Sequence, residues 1–345
     1  MKNTTFVFLT AIGTALSIFL PFASKRLLMF MGAADDVLVY AVSYAVVIGI
    51  GAVFQVVGAG VLVMLRNCGK TYHAMIYSIA GLVIHLVLDI LLADRFQMAG
   101  VAAATVISQF VISVMGIISL GIDKTVKPEL RNITSIIKSA SAPFGLNFVP
   151  SLVLLYTNYF ALKYGGVSAV SAYAVMSYAV YTFDYIFQGV CDGVQPIISY
   201  CIGSEDKKGE CHAMKCSGLI LIVFSIVFCL LTPLMIAMMP KVFAVSDEAR
   251  NMMNTGFLIY ALSYPCKAVV KYVCSYYYSC GKSKISNILV YLDPLFITPG
   301  LLCLLSAVMG INGVWLAMTL SQLSLAVAGI VILLKTQNYK VMEGN

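Results

Sequence analysis

The stretch Gly100-Val101-Ala102-Ala103-Ala104-Thr105-Val106-Ile107-Ser108-Gln109 returns later in the chain as Gly313-Val314-Trp315-Leu316-Ala317-Met318-Thr319-Leu320-Ser321-Gln322. The shared frame is Gly-Val-x-x-Ala-x-x-x-Ser-Gln, at an offset of 213 residues. Upstream, Cys68-Gly69-Lys70 returns as Cys280-Gly281-Lys282, at an offset of 212 residues. Two matches at nearly one offset, both between apolar segments, indicate a duplicated membrane unit. Such internal repeats are typical of secondary transporters.

The composition predicts an integral membrane protein. Hydrophobic residues make up 61% of the 345 residues and charged residues only 11%, whereas a soluble domain has about 25% charged residues. The apolar runs are about 20 residues long, which is enough to cross a hydrocarbon core of roughly 30 Å. The net charge of +7 is spread over short loops with no basic patch among aromatic residues. We therefore expect the lipid bilayer as a partner and no nucleic acid.

Ten membrane-spanning segments are predicted from the apolar runs: 5–30, 36–62, 73–93, 99–121, 135–162, 167–199, 214–238, 251–279, 285–307 and 311–334. The loops on the side of the N-terminus carry 14 Lys and Arg residues, and the opposite loops carry 6. The positive-inside rule then places both termini in the cytoplasm, and an even number of spans agrees with that placement. The prediction is a multi-pass protein of the cell inner (plasma) membrane.

The repeat also predicts the domain organisation. Residues 1–122 form an N-terminal lobe of four helices, 123–134 a cytoplasmic linker, and 135–345 a C-terminal lobe of six helices. The last four spans match the first four, so the partners of 135–162 and 167–199 would precede residue 1. We infer a six-plus-six plan without its first two helices, and lobes that enter the membrane in the same direction because six is even.

One span carries a polar stripe. Asp184, Gln188, Asp192 and Gln195 follow one another at spacings of 4, 4 and 3 residues and share one helical face. Because ionisable groups in hydrocarbon are expensive, this face should meet a cavity or another helix. We interpret it as a wall of the substrate and cation pathway, and the alternative is a structural hydrogen-bonded seam.

A second stripe lies on the span 251–279 and consists of Tyr260, Tyr264, Lys267, Lys271 and Tyr278. Two lysines one turn apart repel each other and need an anion. We predict that Lys267 or Lys271 pairs with Asp184 or Asp192. The alternative is that the lysines extend to the membrane interface, although their position in the middle of the span argues against it.

Other polar residues have less specific patterns. Asn158, between Tyr156 and Tyr159, is a candidate group of the pathway, while Asp89 and Asp293 are predicted to be structural. His85 lies one turn before Asp89, and Asp293-Pro294 can bend its span. No metal site is expected, because the spacing of Cys201, Cys211, His212 and Cys216 fits no common zinc pattern.

The sequence resembles the multidrug and toxic compound extrusion (MATE) family, with most likeness to the bacterial branch related to DNA-damage-inducible exporters. The residues that carry the resemblance are Leu65-Arg66-Asn67-Cys68-Gly69-Lys70, Leu86-Val87-Leu88-Asp89, the stretch 100–109, Ala142-Pro143, Asn158, Tyr164-Gly165-Gly166, Gly189, Gln195-Pro196-Ile197-Ile198-Ser199-Tyr200, Gly281-Lys282 and 310–315. The resemblance implies twelve helices in two six-helix lobes, of which this sequence is similar to helices three to twelve. The coupling carboxylate often found on the family's first helix has no counterpart, and Asn147 to Ser151 has no acid where some members carry a glutamate.

The resemblance implies a secondary active antiporter. It would export organic, often cationic, drug-like compounds in exchange for Na⁺ or H⁺, by rocking of the two lobes, with no other cofactor and as a monomer. The alternatives are a flippase for lipid or polysaccharide intermediates, kept open by Lys267 and Lys271, and an inactive truncated transporter. An enzyme is not expected, since the sequence has no HExxH or G-x-S-x-G motif.

Overall fold

The computed structural model describes residues 2–30, 35–121, 129 and 131–342, and these contain helices and turns but no strand. The helices are α1 (Lys2–Phe30), α2 (Asp35–Ile50), α3 (Ala52–Asn67), α4 (Thr71–Leu120), α5 (Arg131–Gly203), α6 (Lys207–Val242), α7 (Asp247–Ala261), α8 (Ser263–Ser279), α9 (Ser283–Leu292), a π-helical turn (Asp293–Ile297), α10 (Thr298–Met309) and α11 (Ile311–Met342).

The lengths and apolar surfaces of these helices confirm the predicted all-α membrane class. In the described ranges, six helical segments are long and apolar enough to cross a membrane, or eight if two bent helix pairs each count as one span. Large apolar side chains stand exposed on the outside, for example Ile118 (75%), Leu230 (74%) and Val308 (79%). Bands of exposed apolar side chains of this kind require lipid rather than water around them.

The helix α4 is a hairpin with two arms. Its 50 residues would extend to about 75 Å if straight, but Gln97 has φ 49° and ψ −131° and interrupts the helix. A side chain on Gly81 would collide with Ile112, and His85 Nε2 lies 2.9 Å from Thr105 Oγ1. The arms before and after Gln97 therefore run antiparallel and contact each other, as the predicted spans 73–93 and 99–121 require.

The helix α5 folds back in the same way at Gly166. Gly166 has φ 67° and ψ −162°, a conformation that is essentially restricted to glycine. The Tyr181 hydroxyl donates to the Pro150 carbonyl oxygen across the two arms at 3.0 Å. With both hairpins divided into their arms, each of the ten predicted segments has a helical counterpart, and the number that cross the bilayer stays a prediction.

The sequence repeat is matched by the backbone. In both copies of Cys-Gly-Lys the glycine is left-handed, with φ 75° at Gly69 and 72° at Gly281. The next lysine N–H in each copy donates to a carbonyl oxygen five residues earlier, at 2.9 Å. Gln97 and Gly310, 213 positions apart, have similar angles (φ 49°, ψ −131° and φ 59°, ψ −134°). The repeat therefore encodes the same turns twice.

Two spans that were predicted as continuous are broken. The predicted span 36–62 bends by 55° between α2 and α3, and the predicted span 251–279 bends by 45° between α7 and α8. The second break has a chemical cause, because Pro265 has no N–H to donate to the Ala261 carbonyl oxygen. The Cys229 thiol contacts that oxygen instead, at 3.4 Å. Proline thus ends α7 and lets α8 begin in a new direction.

The chain divides into two compact units, Met1–Ile137 and Lys138–Asn345. The boundary lies within the first turns of α5, and α5 begins at Arg131, so the last residues of the linker predicted at 123–134 are helical. Residues 123–128 and 130 of that linker lie outside the described residues. The second unit contains two buried apolar clusters, and the polar side chains discussed next lie between its helices.

Candidate functional site

A buried ion-paired cluster lies within the second unit, between the second arm of α5 and α8. The Lys271 Nζ atom lies 3.0 Å from Asp184 Oδ2, and the Lys267 Nζ atom lies 3.7 Å from Asp184 Oδ1. The two lysines are one helical turn apart, so both reach the same carboxylate from one face of α8. The sequence predicted that one of them would pair with Asp184 or Asp192, and both pair with Asp184.

A hydrogen-bonded chain continues from this pair along α5. Lys271 Nζ donates to Gln188 Oε1 at 3.1 Å, and Gln188 Nε2 donates to Asp192 Oδ1 at 2.8 Å. The Tyr278 hydroxyl lies 3.5 Å from the same oxygen of Asp192. The Gln188 amide is thus oriented by an ammonium on one side and a carboxylate on the other, and Asp192 is linked to the lysine through it.

The cluster is shielded from solvent. Asp184 and Gln188 are each 6% exposed, and Lys271 is 8% exposed. Charges at such positions interact strongly because the local dielectric constant is low, and they are tolerated only when paired and hydrogen-bonded. The Lys267 side chain is more open, at 15%. Within the described residues its ammonium has this one ion pair, at a distance longer than a hydrogen bond, and no hydrogen bond.

A second carboxylate faces the same space. Asp293 begins the π-helical turn and is 4% exposed. Its Oδ1 accepts from the Thr298 hydroxyl at 2.7 Å, and its Oδ2 accepts from Gln322 Nε2 at 2.9 Å. From the sequence, Asp293 is predicted to be structural, and Gln322 is not among the predicted site residues. The signal that could have found Gln322 is its place in the repeated Ser-Gln motif.

Asp184, Lys267, Lys271 and Asp293 line one cavity. The space in which the centre of a water molecule fits is about 80 Å³, enough for several waters but well below the 300–1,000 Å³ of sites for drug-sized ligands. Its other lining residues include Tyr173, Ser177, Tyr181, Tyr260, Met318 and Gln322. The Tyr260 hydroxyl is buried and has no hydrogen-bond partner in the part of the chain that the structure describes.

Five predicted pathway residues are not among those lining the cavity, and two of them, Gln188 and Asp192, belong to the hydrogen-bonded chain along α5. Tyr264 packs in an aromatic cluster against Phe183 and Phe228, with ring centroids 5.3 and 6.4 Å away. Gln195 Nε2 donates to the Ser199 hydroxyl at 3.2 Å. Asn158 has a buried Oδ1 without a hydrogen-bond partner among the described residues. Their part in a transport pathway stays a prediction.

Asp89 lies in the first unit, on the first arm of the α4 hairpin. Its Oδ2 is 3.2 Å from His85 Nδ1, and the other ring nitrogen of His85 contacts Thr105 on the second arm. The three side chains therefore join the two arms of the hairpin. The structural role of Asp89 stays a prediction.

The duplicated turns and the buried ion pairs define a class of protein, a polytopic membrane protein built from internal repeats, as secondary transporters are. The MatE family model matches residues 2–91 and 144–292, so the chain belongs to the MatE (MATE) family. This confirms the resemblance found in the sequence. The assignment to a bacterial branch and the two missing helices stay predictions.

Relatives and solved structures agree with this family. "Multidrug export protein MepA" of Staphylococcus saprophyticus is 26% identical over 195 residues, which are 53% of this chain and 43% of the relative. The protein of the same name from a Staphylococcus aureus strain is 24% identical over 330 residues, 91% of this chain and 71% of that protein. This chain thus spans less than half of the first relative's length in that match.

The fold is shared with solved transporters at low sequence identity. A MOP superfamily transporter from Pyrococcus furiosus is 18% identical with a TM-score of 0.85, over 95% of this chain and 77% of that chain. An outward-facing multidrug resistance MATE family transporter is also 18% identical with a TM-score of 0.85, over 99% of this chain and 80% of that chain. Likeness at this level of identity concerns the fold alone.

Proposed function

We propose that this protein is a multidrug efflux transporter of the plasma membrane, with both termini in the cytoplasm. It exports organic, often cationic, compounds in exchange for Na⁺ or H⁺ and does not convert them chemically. The observation that carries the proposal is the MatE match across both units, together with relatives named multidrug export proteins. The rocking of two lobes, predicted from the repeat, is the movement we propose for this exchange.

The cluster around Asp184 supports the ion-coupled part of the proposal. A coupled transporter needs a charge inside the membrane whose compensation can change during transport. Asp184 has two lysine partners at unequal distances, 3.0 and 3.7 Å, and lines a cavity large enough for several water molecules. The cavity is too small for an organic drug, so the cluster serves coupling and the organic substrate binds elsewhere.

The rival function, a flippase for anionic lipid-linked intermediates, would use Lys267 and Lys271 to bind the anionic head group. Lys271 is 8% exposed and engaged with both Asp184 and Gln188. A lysine whose charge is already compensated offers little to a second anion, and opening the pair would leave Asp184 buried and unpaired. This observation favours efflux of organic compounds over the flippase.

Reconstituted vesicles test the proposal. We expect the full chain to move ethidium against a concentration gradient when a Na⁺ or H⁺ gradient is imposed, and ionophores that collapse that gradient to abolish the movement. Asp184→Asn should remove most of the gradient-driven transport, whereas Asp247→Asn, at an exposed position in the first turn of α7, should retain it. Ethidium flux no greater than in empty vesicles, with translocation of a polyprenyl-linked sugar, would instead establish the flippase.

A further inference from the structure

Lys267 is the least satisfied charge in the cluster. Its ammonium is largely buried, lies 3.7 Å from Asp184 Oδ1 and has no hydrogen bond within the described residues. It also lines the cavity that Asp293 lines. A buried ammonium normally donates hydrogen bonds. Lys267 is therefore paired with Asp184 at a long distance and lines the same cavity as Asp293.

The other charged groups of the cavity are fixed. Lys271 is held by Asp184 and Gln188 at 3.0 and 3.1 Å. Both oxygens of Asp293 are hydrogen-bonded, one to the Thr298 hydroxyl and the other to Gln322 Nε2. The cavity is lined by two acidic and two basic side chains. Removing the Lys267 ammonium would leave the two aspartates with Lys271 as their remaining basic neighbour in that lining.

The cavity that Lys267 lines has oxygen-bearing side chains next to apolar ones such as Val270 and Leu289. Asp184 and Asp293 contribute carboxylates, and Tyr260, which is 2% exposed, contributes a hydroxyl that has no hydrogen-bond partner among the described residues. Ser177 and Tyr181 add further hydroxyl groups to the lining. Carboxylate, hydroxyl and water oxygens are the ligands that hard metal cations prefer.

We propose that the Lys267 ammonium occupies an intramembrane alkali-cation site formed by Asp184 and Asp293. The lysine is a tethered cation that takes the place of a free Na⁺, so this site binds no Na⁺ while Lys267 is present. The inference rests on the proposed function only for its consequence, which is that Lys267 excludes Na⁺ from this site, so that of the two proposed coupling ions H⁺ is the one this cluster serves. The occupation of the site is independent of any transported substrate.

Na⁺ binding to the purified full chain tests the proposal. Lys267→Met removes the tethered charge while keeping a long apolar side chain. We expect this variant to bind about one more Na⁺ per chain than the unmodified protein in equilibrium dialysis with ²²Na⁺, and its melting temperature to rise with Na⁺ concentration but not with choline. Lys267→Arg keeps the charge and should gain no Na⁺. Adding Asp184→Asn to Lys267→Met should abolish the gain.

Equal Na⁺ binding by the unmodified protein and Lys267→Met would overturn the proposal, and so would a gain that persists after Asp184→Asn is added. If Lys267→Met does not fold, Lys267→Ala is solubilised with and without ethylammonium, a small cation that replaces the missing one. Recovery of a monodisperse protein with ethylammonium but not with choline supports the site, and no recovery overturns it. Neither assay requires transport, so a failure of the ethidium experiment leaves these outcomes unchanged.

Discussion

The Nζ atom of Lys271 lies 3.0 Å from Oδ2 of Asp184, deep within the second unit and shielded from solvent on both sides of the pair. The two residues belong to different helices, α8 and the second arm of α5. The same carboxylate also faces Lys267 at 3.7 Å, so one aspartate compensates two lysines. Because one carboxylate is shared by two lysines at unequal distances, replacing Asp184 and replacing one of the lysines should lower the free energy of unfolding by different amounts.

Removing the aspartate should cost more than removing a lysine. Asp184→Asn leaves two buried lysines facing each other, and we expect a loss of about 3–5 kcal/mol in the free energy of unfolding, the range for breaking a buried ion pair. Lys271→Met should cost less, because Lys267 remains to pair with Asp184. Thermal unfolding in detergent measures both, with the exposed Lys241→Met as the control. Equal losses would show that Lys267 does not compensate Asp184.

The two copies of the hairpin turn provide a matched pair of substitutions. Gln97 has φ 49° and ψ −131°, and its counterpart Gly310 has φ 59° and ψ −134°. A non-glycine residue in this conformation costs about 1–3 kcal/mol. Gln97→Gly should therefore raise the melting temperature, and Gly310→Gln should lower it. Shifts of the same sign in both variants would contradict the equivalence of the two turns.

A methyl group at Gly313 should destabilise the hairpin formed by α10 and α11. The added carbon would collide with the Leu305 carbonyl oxygen, which is backbone and cannot rotate away. We expect a loss of about 1–3 kcal/mol, the usual cost of overpacking, measured by thermal unfolding. Gly300→Ala is the control, because nothing lies within 4 Å of the added carbon there. That variant should be neutral or gain up to about 1 kcal/mol from helix propensity.

Gln322 and Gln55 differ in whether the side-chain amide has a hydrogen-bond partner among the described residues. Gln322 donates to Asp293 Oδ2 at 2.9 Å, so Gln322→Met removes a donor from a buried carboxylate and should cost about 1–3 kcal/mol. The buried Nε2 of Gln55 has no partner among the described residues. Gln55→Met should therefore be neutral or stabilising in the same unfolding assay. If Gln322→Met were more stable than Gln55→Met, the hydrogen bond from Gln322 to Asp293 would contribute nothing to the free energy of unfolding.

The local turns could be predicted from the sequence because glycine marks them. Gly69, Gly281 and Gly310 all have positive φ, and their repeated motifs place them between apolar runs. The break at Gln97 has the same geometry without a glycine, so only its alignment with Gly310 identifies it. The bends at Gly51 and Leu262 could not be predicted from hydropathy, because the two helices of each bent pair together are long and apolar enough to count as one span.

The candidate site was predicted in part, and the limit lies in its long-range contacts. Helical spacing alone placed Asp184 and Gln188 on one face of α5. It also placed the two lysines on one face of α8. The choice of Asp184 over Asp192 as the ion-pair partner, and the inclusion of Asp293 and Gln322, depend on how α5, α8, the π-helical turn and α11 pack together. Tyr264 shared the stripe with Lys267 and yet packs among aromatic rings.

By itself the sequence determined the membrane class, the repeat and the helical face on which each polar residue lies. The fixed rotation per residue of an α-helix determines from the sequence which side chains share a helical face. The fixed thickness of the bilayer determines how many apolar residues a membrane-spanning segment needs. Only the tertiary structure decided which charges meet and at what distance. The partners lie on helices more than 80 positions apart, and their depth and rotation relative to each other are set by the packing of every side chain between them.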